Sequence, residues 1–182
     1  MESIKFIQQQ LGVINDGIWG QKSHTALLKA IKAGKVIYIS KHITVNDLLF
    51  SDTAIKLRVD NFPSIAEFKN LVELANVMLE QIIKMLGHNI TITSGYRCRR
   101  VNLAVGSTDR SVHPVGWACD FRCPEFGDTG KIYAHLAKGF RALGIKFDQL
   151  IIENRGSPKS WIHIGLKNRA GLQRKRLMEL KV

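Results

Sequence analysis

The chain has 182 residues, with 27 Lys or Arg against 15 Asp or Glu and a formal net charge of +12. At 45% hydrophobic and 23% charged it has the composition of a folded chain rather than a disordered one, and no apolar run approaches the roughly 18 residues of a membrane span. Three cysteines at irregular spacing argue against a disulfide scaffold and for synthesis in a reducing compartment.

In chain order, MESIKFIQQQLGVIND breaks its apolar residues with three glutamines and carries Glu2, unlike a secretory signal. Ser3 reads as the cap of a helix with Ile4, Ile7 and Leu11 on one face, stopped by Gly12. Asp16-Gly17 marks a turn, and Ala26, Leu27, Ala30 and Ile31 mark a second helix ending at Gly34. Thr44 or Asn46 is expected to cap a short helix through Phe50. Ser64 and Glu67 form a capping box ahead of Ile65, Phe68, Val72, Ala75, Leu79, Ile82 and Leu86, the clearest helical stripe in the chain, which Gly87 closes. The period then shifts to two, predicting strands over 89–93, 117–123, 147–153 and 161–166, with one helix over 129–143. These elements predict an α+β fold with a small, mainly antiparallel sheet flanked by helices and preceded by a short helical module.

The charge gathers at the two ends. Six lysines face Glu2 and Asp16 in residues 1–41, and six cations face Glu179 in residues 167–182. Such a chain is drawn to a polyanion: nucleic acid, an anionic membrane or an acidic wall polymer. Nothing resembles a helix-turn-helix, an RRM or a zinc finger, so no nucleic-acid partner is expected. In the tail, Leu172, Arg176, Leu177 and Leu180 fall at helical spacing. That basic amphipathic segment would either dock on the body or meet anionic lipid or lipopolysaccharide.

The chemistry-bearing residues gather at strand ends. His113 precedes Asp120 by seven residues, and His163 sits in the strand Trp161-Ile162-His163-Ile164. Two imidazoles and a carboxylate suit a catalytic zinc, because three protein ligands leave one position open. From spacing alone, the plainer reading of a turn histidine and a half-buried strand histidine stands ahead. Alternation along 118–123 sets Ala118, Asp120 and Arg122 on one face and Cys119, Phe121 and Cys123 on the other, so the cysteines are expected in the core.

The surrounding residues change that balance. Ser94-Gly95-Tyr96-Arg97, Asn102, Val105-Gly106, SVHPVGWACD, FDQLIIE and WIH resemble, in order and spacing, the M15 family of zinc peptidases over about residues 42–166. SDTAIKLRVDNFPS resembles the lead-in of the same branch. The resemblance implies a sheet domain of the M15 and hedgehog type, with one Zn2+ per chain held by His113, Asp120 and His163. Arg97 would bind substrate or hold the oxyanion. Ser111, Tyr96 and Trp161 would bind substrate or support the site, with turn stabilisation equally open for Ser111 and packing for Tyr96.

Many family members carry Asp or Glu three residues before the last histidine, where this chain has Ser160. Glu153 is the remaining candidate for the general base, and whether it reaches the metal depends on hairpin register. Residues 4–31 also resemble a helical peptidoglycan-binding domain, in which Trp19 would fix the loop or contact sugar and His24 would lie on the surface. The implied organisation is a peptidoglycan-binding-like segment over 1–38, a peptidase domain over 39–167 and a basic tail over 168–182.

The implied activity is that of a phage-type endolysin cutting the peptide stems of bacterial peptidoglycan. An L-alanyl-D-glutamate endopeptidase is the first expectation, and a D-alanyl-D-alanine carboxypeptidase or cross-link endopeptidase the alternative. Such an enzyme would be a monomer, held in the host cytoplasm without a signal peptide and acting on the periplasmic wall after release. The rival from another class is a wall-binding protein that has lost catalysis, for which Ser160 speaks.

Overall fold

A computed structural model describes residues 2–181. Met1 and Val182, the ends of the first and last predicted segments, lie outside them. Helices α1 (Glu2–Leu11) and α2 (Gln21–Lys32) open the chain, followed by short α3 (Val45–Leu49) and α4 (Asp52–Leu57). A long helix runs as α5 (Ile65–Glu73), a π-helical turn (Leu74–Leu79) and α6 (Glu80–Leu86). Strand β1 (Thr91–Ser94), α7 (Arg99–Ala104), a 3-10 turn (His113–Val115), β2 (Ala118–Arg122), α8 (Thr129–Ala142), β3 (Gln149–Glu153), β4 (Trp161–Gly165) and β5 (Arg176–Leu180) complete it. No described helix is long and apolar enough to cross a membrane.

The sheet has the order β1-β2-β4-β3-β5, antiparallel throughout except for the β3–β5 pair. This is the α+β architecture expected from the sequence. One sheet face carries Cys119, Phe121, Leu150, Ile152, Ile162 and Ile164, all fully buried, and packs with α5–α6 and α8. The cysteines are free, with Cys119 and Cys123 in the core as alternation predicts. Burying each large apolar side chain contributes about 2 kcal/mol, so Phe68, Leu71, Leu79 and Ile82 make the long helix the backbone of the core.

Its capping box forms as predicted: Ser64 Oγ accepts from the Glu67 amide while Glu67 Oε2 accepts from the Ser64 amide. The π-helical turn lies outside the periodicity argument. Within it Asn76 Nδ2 donates to the Val72 and Ile39 carbonyls, and just after it Glu80, the first residue of α6, accepts from Ser40 Oγ and the His42 amide. The turn thereby rotates two polar side chains onto the 39–42 loop.

Three features of the ends differ from expectation. Ser3 lies inside α1 rather than capping it. His24 is buried at 6% exposure, not on the surface, and Trp19, 2% exposed, stacks on Phe68 with ring centroids 4.5 Å apart. Trp19 therefore fixes the loop and offers sugar no face, and Ile7, Trp19 and Leu27 join the same apolar cluster as Phe68. The loop is held by buried Gln8, whose Nε2 donates to Asp16 Oδ1 and the Ile18 carbonyl while its Oε1 accepts from the Gly17 amide.

The third difference is the tail. Residues 176–180 do not continue the helical spacing; they form β5, paired in parallel with β3 from Gln149↔Arg176 to Glu153↔Leu180. The cause is a long-range ion pair: Arg174 binds fully buried Asp148 through Nε and Nη2 at 2.6 and 2.7 Å. Arg174→Ala leaves that carboxylate unpaired and is expected to cost about 3 kcal/mol. Chemical denaturation measures the loss, and amide exchange should show β5 released first.

Candidate metal centre and active site

Three ligand-type side chains converge on one sheet face. Asp120 at the centre of β2 pairs across the ladder with His163 at the centre of β4. His113 reaches them from the 3-10 turn, where the hydroxyl of Ser111 accepts from the His113 amide at 3.3 Å. His163 Nδ1 lies 2.7 Å from Asp120 Oδ1, and His113 Nε2 lies 3.3 Å from both His163 Nδ1 and Asp120 Oδ1. The three ligand atoms fall within 4.8 Å of one another and all three residues are buried.

The surroundings orient these groups. His113 Nδ1 sits 2.6 Å from the Gly95 carbonyl, which fixes the proton on Nδ1 and turns the Nε2 lone pair toward the cluster. Gly95 is needed for the approach, because a Cβ there would stand 2.3 Å from the Leu48 carbonyl oxygen. Gly116, at φ +81, lets the turn carrying His113 pass the end of α5, where a Cβ would meet the Glu67 carbonyl at 2.5 Å. Arg97 Nη2 donates to Asp120 Oδ2 at 2.5 Å and its Nε to Ser94 Oγ at 2.8 Å.

Electrostatics suit ligation. Burial would raise the Asp120 carboxyl, but His113 and His163 outweigh it and hold the group far below the ordinary carboxylate range. Burial lowers His113 below its usual value against the pull of Asp120. Two imidazole nitrogens and one carboxylate, aimed at one point, form a donor set that fits zinc.

The register decides the place of Glu153. Ile151 pairs with His163 and Glu153 with Trp161, so Glu153, Trp161, His163 and Asp120 share one face. Burial pushes the Glu153 carboxyl up, the Asp120 charge adds to it, and His163 and Arg97 offset part of the rise. Ser160, at the position where many family members have an acid, is committed elsewhere: its hydroxyl bonds the Glu153 carbonyl and Thr129 Oγ1.

Tyr96 is buried and donates to Glu67 Oε2 at 2.9 Å, away from the ligand set, and its phenol is raised by burial and by Glu67. The anchoring of Asp120 by Arg97 and of His113 by the Gly95 carbonyl escaped the sequence reading. Their signal lies in the unbroken run Ser94-Gly95-Tyr96-Arg97, in which the resemblance assigns roles to Tyr96 and Arg97 but none to Ser94 or Gly95.

The Peptidase M15 family model matches residues 41–164. A search of curated proteins returns no match. The matched span runs from the loop before α3 to the strand that carries His163, so it includes every residue of the cluster. With the family's sequence pattern over two thirds of its length and a His-Asp-His group at its centre, the chain belongs to the M15 peptidase family.

Proposed function

We propose that this M15 peptidase is zinc-dependent and hydrolyses an amide bond in the peptide stem of bacterial peptidoglycan. The observation that carries the reading is the buried group of His113, Asp120 and His163, with Glu153 on the same sheet face. We assign the L-alanyl-D-glutamate bond as first target, with the D-alanyl-D-alanine bond or the cross-link as the alternative. An endolysin role in wall lysis, with action on the periplasmic wall, belongs to the same proposal.

His113 Nε2, His163 Nδ1 and an Asp120 oxygen would hold the metal, and zinc there supplies Lewis acidity toward the amide carbonyl and water. The protein's own residues do the rest. Arg97 orients Asp120, and its Nη1, without a partner among the described residues, is available to a developing oxyanion. Glu153 accepts the proton of the attacking water and returns it to the leaving amine. Its raised carboxyl suits both directions of transfer.

The test is mass spectrometry of purified peptidoglycan digested with the protein, with and without a zinc chelator. New fragments that disappear on chelation and return with zinc are expected, and their new termini identify the bond. Intact stems in the presence of bound zinc overturn the proposal in favour of a wall-binding protein.

A further inference from the structure

At the end of β2, past Asp120, opens a cleft of about 750 Å3 that shares no lining residue with the metal group and that the chemistry above does not use. It lies between the loop before α8 and the β3–β4 loop, lined by Arg122, Lys131 and Arg155 with Asp128, Gly130 and Ser157. Arg122 follows Asp120 by two residues on β2, on the same face and about 7 Å further along the strand. Ser160, which also lines the cleft, bonds the Glu153 carbonyl, so the cleft adjoins the strand that carries the base.

The charges in the cleft are unbalanced. The Arg122 side chain makes no hydrogen bond or ion pair among the described residues, and its Nε is shielded from solvent without an acceptor. A buried, unmade donor on a guanidinium costs free energy that an anionic ligand recovers. The one carboxylate in the wall, Asp128, is engaged in capping α8, accepting from the Lys131 amide at 2.8 Å. Arg155 shares Glu179 at 3.2 Å on an exposed lip, and its guanidinium lies against Gly130, where a Cβ would stand 3.4 Å from Nε. Lys131 Nζ rests over the Phe126 ring at 5.3 Å, held without an acid partner.

We infer that this cleft is the subsite for a carboxylate of the peptide substrate, with Arg122 as its anchor and Lys131 and Arg155 as its rim. The inference rests on the stem-peptide reading and adds its specificity: the acid recognised lies one or two residues from the bond at the metal, the reach of about 7 Å. Stem peptides bearing a free carboxylate there are preferred over their amidated forms.

The test uses full-length, zinc-loaded Glu153→Gln protein, so that ligand is bound without turnover. Calorimetry compares L-Ala-γ-D-Glu-L-Lys with the same peptide amidated at the glutamate α-carboxyl. The acid form is expected to bind about tenfold or more tightly. Adding Arg122→Gln should erase the difference, while Arg155→Gln on the exposed lip should lower it about twofold to fivefold. Equal affinity for acid and amide, no binding of either, or a preference that survives Arg122→Gln in a folded protein overturns the subsite. Should Arg122→Gln fail to fold, the acid-to-amide ratio and the Arg155 variant still decide it. Digestion of intact wall by the unmutated protein is scored separately: cleavage without acid preference rejects only the subsite, whereas absence of cleavage rejects the reading beneath it.

Discussion

Replacing His163 or Asp120 with alanine is expected to abolish zinc binding and to lower peptide hydrolysis by at least about a thousandfold, because several kcal/mol of charge stabilisation leave with the metal. His113→Ala should do the same. The three variants differ in stability, and the difference tests the geometry. Asp120 is the acceptor for Arg97, whose side chain is only 15% exposed. Asp120→Ala therefore strands a guanidinium as well as removing a ligand, and should cost about 3 kcal/mol even without metal. Asp120→Asn keeps an acceptor oxygen for Arg97 and should recover much of that loss without recovering activity. His113→Ala leaves the Gly95 carbonyl without its ring partner at a buried contact and should cost less, about 1–2 kcal/mol beyond its packing. Thermal melts with and without zinc provide the readout: ligand at a thousand times its Kd adds about 4 kcal/mol to the native protein, and the alanine variants should show no such gain. A zinc-dependent rise in melting temperature that persists in His163→Ala would place the metal elsewhere.

Much of this site was legible because its pieces are local. Alternation along β2 put Asp120 opposite the core cysteines, and the structure keeps them apart in that way. The capping box at Ser64 and Glu67 fixed the start of the long helix from four residues of sequence. What escaped were short elements and long-range partners. Helices α4 and α7 have six residues each, less than two turns, so no apolar stripe can repeat within them. The tail misled because Leu177 and Leu180, three apart, fit one face of a helical turn, whereas in β5 they point to opposite faces of the strand. The deciding contact, Arg174 on Asp148, spans 26 residues and lies outside any window. His24 misled for a related reason: a histidine at a helix start reads as a surface residue until Phe68, 44 positions on, is seen packed edge-on against it.

The tail bears on how the enzyme can be dissected. Because β5 pairs with β3 along its length, ending at Glu153↔Leu180, removing residues 168–182 would disturb the strand that carries the candidate base. A truncation intended to test an anionic-membrane contact of this basic segment would confuse surface charge with catalysis. Charge substitutions at exposed Lys175 and Lys181 leave the pairing intact and separate the two.

Glu153→Gln is the sharpest test of the chemistry, because it changes one proton and almost no volume. Glu153 occupies a sheet position that a one-residue slip would have turned into the core, and the pairing with Trp161 sets it on the ligand face. The metal ligands do not depend on it, so zinc binding should be unchanged and turnover should fall by about a hundredfold to ten-thousandfold, the range of a general base. The loss should appear in kcat rather than KM. The pH profile gives a second reading. A base must be deprotonated to act, and burial with the neighbouring Asp120 charge raises the Glu153 carboxyl. The acid limb of kcat/KM should therefore lie above the ordinary glutamate range, near 4.3, and should vanish from the residual activity of the glutamine variant. Ser160→Ala is the control. Its hydroxyl ties α8 to the Glu153 backbone through Thr129, so its loss should cost about 1 kcal/mol of stability and leave the acid limb where it was. An acid limb that moves with Ser160→Ala but survives Glu153→Gln would transfer the proton to another group and remove Glu153 from the mechanism.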